Sequence, residues 1–477
     1  MPEAVNATSA AVARMATEWP MTEALMAGTA AMRDMAERLL PRWPGEEQAA
    51  YDARRSTATL FPAFRRTVAV MQGKPFSKAL TLGDDTPAQV VAWSDDIDLE
   101  GVNLHSFAAE MMGEALAYGL AGILVEAPKP IAPLGTKVTK ADEKAAGVRP
   151  YFVRVRHGQL RGWRVGVVNG KPALTMLRIA ETTSEVDGDF GEKTVERIRV
   201  LKPGAWQVWE KVEGHSDQWA VKDEGVTGLD VIPFVPLYGQ RLGFMAGASP
   251  LLDLAYLNVK HWQSQSDQDT ILHVARVPIL ALIGGDKTTS LTVGSGTAVN
   301  LPVGGDLKFV EHSGAAISAG QSSLDALEAQ MIQAGAELLV KKPGDRSATE
   351  SMNDAEANKS DLQRLVEAFE DSLDQALYLM ARYASLETGG HVSLFKDFGA
   401  ATLSTASSQL VLAMQTAGLI SKATAIDEMK RRGELAVEVD AEVEAEAVEM
   451  EGPALGGVTD EPPAGGAVRP PTDQVPA

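Results

Sequence analysis

Apolar positions between residues 319 and 383 recur at helical spacing. Leu324, Leu327, Met331, Ala334 and Leu338 alternate steps of three and four, a heptad-like stripe that predicts a helix packed against other helices. Small residues fill much of the rest. A charged break follows, made of Lys341, Lys342, Pro343, Gly344, Asp345 and Arg346. Beyond it, Ser347 and Glu350 read as a capping box opening a longer helix, whose face carries Leu362, Leu365, Val366, Phe369, Leu373, Ala376, Leu377, Met380 and Tyr383. Two helices in series around a charged break suit a mechanical arrangement better than a catalytic pocket.

Upstream, residues 1–20 are rich in Ala and Thr, with little periodic apolar content, and are expected to form a mobile arm closed by Pro20. Thr22 should open a helix with Leu25, Met26, Met32, Met35, Ala36 and Leu39 on one face, stopped by Pro41. A second helical stretch should follow Gly45 and run to Gly73, kinked at Pro62. A third spans Leu104 to Tyr118, ended by Gly119 and Gly122. Asp95, Asp96 and Asp98 before it lack the fixed spacing and bidentate Glu of a calcium loop and read as loop acids near a helix start. Residues 128–150 read as a surface insertion.

From Tyr151 the period changes to two. Short strands alternate with Asn169-Gly170, Asp187-Gly188, Pro203-Gly204 and Glu213-Gly214 turns, predicting an antiparallel meander over 151–221. Its Trp163, Trp206, Trp209 and Trp219 could stack on bases, but no basic stripe accompanies them, which favours core packing. Ser249 and Pro250 then open a helix to about Ala275. Its middle, 263–270, is polar all round, so Gln263, Gln265, Asp267 and Asp269 are expected at a domain bridge or a wet interface. Asp267 and Asp269 point to different faces, which weakens a shared metal site. Strands are expected at 277–283, 291–301 and 307–310, and a helical hairpin at 409–432.

Composition narrows the function. At 477 residues the chain has room for about three domains. It lacks cysteine, which removes disulfides, thiolate catalysis and thiolate zinc sites. No run approaches the roughly 20 apolar residues of a membrane helix, and the N-terminus does not read as a signal peptide. The net charge of -20 argues against a protein that wraps nucleic acid by neutralising phosphates. Acids crowd the C-terminal end from Glu434 to Glu451, as in a solvated tail.

Catalytic chemistry is hard to find. The histidines at 105, 157, 215, 261, 273, 312 and 391 make no helical metal-ligand pair, and no Gly-x-Ser-x-Gly elbow is present. Residues 284–289 have the wrong glycine and lysine spacing for a phosphate loop, and Glu311 and His312 sit on opposite faces of a strand. Lys430, Arg431 and Arg432 end the last helix, where its dipole favours cations without any base readout.

Five stretches carry a family resemblance: LAYGLAGILVEAP at 116–128, IPFVPLYGQRLGF at 232–244, SPLLDLAYLNVKHWQSQSDQDTILHVARVPIL at 249–280, SATESMNDAEANKSDLQ at 347–363 and LISKATAIDEMKRRGEL at 419–435. In order and spacing they resemble tailed-phage portal proteins, in particular a phage-encoded branch without assigned function. The resemblance implies an α+β portal-like architecture. A helical and β-meander wing would span 21–248, a stem of two helices 249–275 and 319–340, and a small α/β or β clip 276–318. A tunnel loop would fall at 341–346, followed over 347–433 by the long helix, the wing return and a short helical crown, and at 434–477 by an acidic disordered tail.

It also implies a ring of about twelve subunits at a capsid vertex of the virion, assembled in the host cytoplasm. Double-stranded DNA would pass through non-specifically. Terminase, the major capsid protein and a head-tail adaptor would be partners, with no cofactor, metal, membrane or enzymatic activity. On that template Lys341 to Arg346 face the DNA channel, although an ordinary solvated loop accounts for the same cations. Gln263, Gln265, Asp267, Asp269, Leu324, Leu327, Met331 and Leu338 would lie at stem subunit contacts. A different head-tail structural or adaptor protein, or a carboxylate-based hydrolase, are the competing readings. The chain departs from larger portals in lacking a long C-terminal helical barrel.

Overall fold

The computed structural model describes residues 4–128, 148–168, 170–212, 214–215, 218–275, 279–283, 305–310, 314–336, 360–396, 413–416 and 421–431, with single positions at 435, 439 and 443. It divides into two units, Met1–Lys396 and Asp397–Ala477.

The N-terminal stretch departs from the expected mobile arm. Ser9 caps α1 (Ala10–Met15) by accepting from the Val12 amide, and Val12 is buried in the core. Pro20 does not close a segment. It sits in the first turn of α2 (Trp19–Ala27), where its missing N–H costs nothing, and Trp19 is buried beside Val12. Two apolar anchors outweigh an Ala/Thr-rich composition. The expected single helix to Pro41 is also divided, because Gly28, at φ 97°, separates α2 from α3 (Thr29–Asp34). Likewise Pro62 does not kink one helix but stands between α4 (Gln48–Thr57) and α5 (Ala63–Gly73), with extended backbone at Ala58.

After the short β1 (Thr81–Leu82) and α6 (Ala88–Trp93) comes α7 (Leu104–Tyr118), as its sequence signals require. Asn103 accepts from the Ser106 amide at one end, and Gly119, at φ 88°, turns the chain into β2 (Leu120–Glu126) at the other. A Cβ at Gly119 would come within 2.4 Å of the Ala248 backbone, so this corner admits only glycine. β2 is the centre of a three-stranded antiparallel sheet, flanked by β3 (Tyr151–Val155) and a later strand formed by Phe234–Tyr238. Tyr151–Val155 therefore leaves the meander to which its period assigned it.

The meander itself is β4 (Leu160–Val168), β5 (Lys171–Asp187), β6 (Gly191–Lys202), β7 (Ala205–Lys211) and β8 (Trp219–Val226), paired in chain order. Gly170, Gly188, Gly204 and Gly214 all have positive φ, which is why the four Gly-containing turns were readable from sequence. All four tryptophans are half-buried, and Trp163 and Trp206 pack against the core.

Phe234–Tyr238 is β9. It leads through β10 (Gln240–Gly243) and β11 (Ala246–Ala248), an antiparallel pair, to the long helix α8 (Leu252–Ala275). β12 (Ile279–Ile283) pairs antiparallel with β13 (Asp306–Val310), and α9 (Ala315–Ala336) returns alongside α8. The Ser347 capping box and the strand expected at 291–301 lie outside the described residues. A capping box is present at Ser360 and Gln363, and it opens α10 (Asp361–Tyr383). This helix buries Leu362, Val366, Phe369, Leu373, Leu377 and Met380, and packs with α7 on the three-stranded sheet. β14 (Val392–Ser393) pairs with β1. In the second unit, residues 413–416 are helical and α11 spans Lys422–Arg431, where Lys430 pairs with Asp427 at 3.7 Å.

Candidate functional site

The helix pair α8/α9 corresponds to the two stem helices that the resemblance implies, and its geometry is antiparallel. His261 Nε2 lies 3.4 Å from Glu328, and Gln268 donates to the Ile317 carbonyl at 2.9 Å. Gly320 lets the helices approach: a Cβ there would lie 2.0 Å from the Gln268 amide oxygen.

The polar middle of α8 is not an exposed wet face. Asn258 is 0% and Gln268 4% exposed, and Ser266 and His261 are buried with them. The amide side chains find main-chain partners far along the chain. Asn258 accepts from the Phe64 amide at 2.9 Å and donates to the Phe61 carbonyl at 2.8 Å, while Gln263 donates to the Leu39 carbonyl at 3.1 Å. A polar helix can thus lie inside a protomer when its amide side chains satisfy main-chain groups packed against it; Ser266 Oγ and His261 Nδ1 are buried without a hydrogen-bond partner among the described residues. Gln265 instead donates to Asp269 along the same helix at 2.8 Å. Asp267 faces the Arg54 guanidinium at 3.9 Å, and burial raises its pKa above the usual range against that cation's pull.

Arg54 links α4 to this seam. It forms a two-point contact with Glu46, at 2.8 Å from each carboxylate oxygen, and stacks over Trp43 at 4.2 Å. The hydrogen bond from Arg54 holds the Glu46 carboxyl below its ordinary value.

Of the apolar stripe on α9, Leu324 and Met331 are each 2% exposed and pack within their own protomer, and Leu327 is half-buried. Leu338 and the stretch Lys341 to Arg346 lie outside the described residues. What α9 leaves uncovered is its opposite face, with Ala319, Ala326, Ala329 and Ile332, the last 72% exposed.

A groove of about 1550 Å³ opens in the same unit, touched at one point by the end of α9 at Gln333 and Ala334. α10 forms one wall with Leu365, Ala368 and Tyr378. The β9–β10 corner forms another with Tyr238, Arg241 and Phe244, and the start of β5 closes one end at Pro172 to Leu174. Nothing in the sequence pattern marked this groove, because its walls come from segments far apart in the chain.

Two buried charge clusters bear on the hydrolase reading. Arg199 contacts Glu126 and, at 2.7 Å, Glu181, while Tyr151 donates to Glu126 at 3.1 Å. An ion pair favours an ionised Glu181 and burial a protonated one. Burial prevails and pushes Glu181 up to about 7, against the pull of the Arg197 charge. His157 is held between Glu114 at 2.6 Å and Glu23 at 2.9 Å, stacked on Tyr118. Both clusters tie elements together: Glu23 on α2, Glu114 on α7 and Glu126 on β2. Asp98 accepts from the amides of Glu100 and Val102 and pairs with Arg154 at 2.8 Å. Among the described residues no group of three or more His, Asp or Glu is arranged to hold a metal ion, and no helix is long and apolar enough to cross a membrane.

The family model described as Domain of unknown function (DUF4055) matches residues 250–384, the stretch from α8 through α10. No curated protein matches the chain. Among solved structures, the chain is similar to a component of "Virion of native gene transfer agent (GTA) particle", with a TM-score of 0.41 and 14% identity, covering 84% of this chain and 98% of that one. It is also similar to a component of "Neck of empty GTA particle computed with C6 symmetry", with a TM-score of 0.40 and 14% identity over 84% of this chain and 98% of that one.

Proposed function

We propose that the chain is a portal-type subunit: a structural, non-enzymatic protein that assembles into a ring at one vertex of a phage-like particle and encircles the DNA path. The observation that carries this reading is the order and pairing from α8 to α10. A long helix leaves the α/β body, a two-stranded β12–β13 unit follows, a second helix returns antiparallel to the first, and a long amphipathic helix packs back on the body. That order coincides with the segments whose sequences resemble portal proteins. The uncovered small-residue face of α9 suits a neighbouring subunit, and a net charge of -20 suits a lumen that DNA slides through without sticking.

In this reading Lys341 to Arg346 form the loop nearest the DNA, a role resting on sequence. Terminase and head-tail adaptor proteins would dock at the β12–β13 end, and the major capsid protein would contact the wing. Negative-stain imaging of the purified protein, alone and with a scaffold or capsid partner, tests the proposal. Rings with a central hole are expected. A homogeneous monomer under both conditions would sink it.

A further inference from the structure

The β5–β6 ribbon outruns its sheet. β4 pairs with β5 only up to Ile179, and β7 pairs with β6 only from Arg197 onward. From Thr182↔Glu196 to Asp187↔Gly191, six residue pairs therefore form a two-stranded ribbon with no third strand on either side. Such a ribbon is marginal in water on its own, and here its end carries two exposed apolar side chains, Val186 at 86% and Phe190 at 102%. Asp187 and Asp189 lie between them, at the turn itself. Six pairs project it by about 20 Å.

The groove beside α10 offers complementary chemistry. Phe234, Phe369 and Leu365 lie in it. Of the charges on its walls, Arg382 pairs with Asp230 at 2.6 Å and Arg364 with Asp361 at 3.4 Å, Asp371 is a further acid, and Arg241, which stacks over Tyr238 at 5.2 Å, is an exposed cation at the β9–β10 corner. A protomer cannot fill its own groove. β5 is one continuous strand whose start, at Pro172 to Leu174, lines the groove and whose end, at Asp187, is the tip. The strand between holds them about 40 Å apart.

We infer that the β5–β6 tip of one subunit, led by Phe190, inserts into the groove between α10 and the β9–β10 corner of a second copy of this chain, its acids meeting Arg241. The inference rests on the ring reading and specifies how neighbours join. Tip and groove are different surfaces, so the contact is head-to-tail and propagates from copy to copy, as a closed ring requires. Burying one Phe and the adjoining Val at each joint supplies a hydrophobic anchor of the hot-spot kind.

Because the chain has no cysteine, engineered pairs report without background. The full-length double variant Phe190→Cys/Ala368→Cys, treated with a short bismaleimide, is expected to give a ladder of covalent multimers, and neither single variant should. Light scattering on the untreated protein gives its assembly state in parallel. In addition, Phe190→Asp, at a fully exposed position that folding does not need, should raise the concentration required for assembly at least tenfold. Multimers without a ladder, a ladder-free intramolecular link, or unchanged assembly of Phe190→Asp would overturn the joint while leaving the ring reading standing. A wild-type protein that stays monomeric both alone and with a scaffold or capsid partner overturns both.

Discussion

Glu181 shows what a single buried carboxyl does to the pH response of the fold. Its folded value of about 7 lies above the ordinary 4.5, so the native state keeps a proton that the unfolded chain releases. Its contribution to stability is therefore complete below about pH 4.5 and is lost as pH rises through about 7. Glu181→Gln keeps an acceptor for Arg199 and removes the titration. Relative to wild type, the variant should gain stability between pH 4.5 and 7.5, by at most about 3 kcal/mol, read from urea denaturation at several pH values. A pH-independent difference would show that Glu181 is ionised throughout. Asn258 tests the polar seam. Asn258→Ala orphans the Phe64 amide and the Phe61 carbonyl, both beneath a side chain that is 0% exposed. The expected loss is about 2–4 kcal/mol, whereas Tyr256→Ala, which removes a hydrogen bond to Glu18 from a half-exposed position on the same helix, should cost less than about 1 kcal/mol.

At the scale of elements, the α8/α9 pair depends on close approach at one point. A methyl group at Gly320 would displace the Gln268 side chain, which is buried and bonded to the Ile317 carbonyl. Gly320→Ala should destabilise the protein by about 1–3 kcal/mol. Combined with Gln268→Ala, which vacates the same space, the loss should fall short of the sum of the singles by at least about 0.5 kcal/mol; additivity in that double-mutant cycle would mean the two residues do not meet. Sequence reading revealed α9 through its local apolar spacing and α8 through the Ser249-Pro250 start signal, and it marked the end of α7 through Gly119. It missed the fate of the polar belt on α8 because the groups that satisfy it, at Leu39, Phe61, Phe64 and Ile317, are main-chain atoms that no side-chain pattern announces. It misassigned Tyr151–Val155 for a related reason, since a period of two reveals a strand but not its neighbour in the sheet. The arm at 1–20 was misjudged because Val12 and Trp19 are too sparse to register as a pattern, yet each is buried.

For the whole molecule, the distribution of charge bears on the proposed conduit. Residues 434–477 contain eleven acids and one base, so this stretch carries -10 of the net -20. If the chain surrounds DNA as proposed, its working state should avoid tight binding, and this segment supplies half of the repulsion. Truncation after Gly433 removes no residue of the Met1–Lys396 unit, so its denaturation midpoint should be unchanged. Its affinity for a short double-stranded DNA, followed by fluorescence anisotropy, should rise several-fold at low salt. Because the effect is long-range and electrostatic, it should fade as the Debye length shrinks from about 30 Å at 0.01 M salt to about 3 Å at 1 M. A gain that persists at high salt would point instead to a contact site uncovered by the truncation. No gain at low salt would mean that the acidic segment stands too far from the DNA path to act on it, and the repelling-conduit picture would then rest on the remaining -10 spread over the rest of the chain.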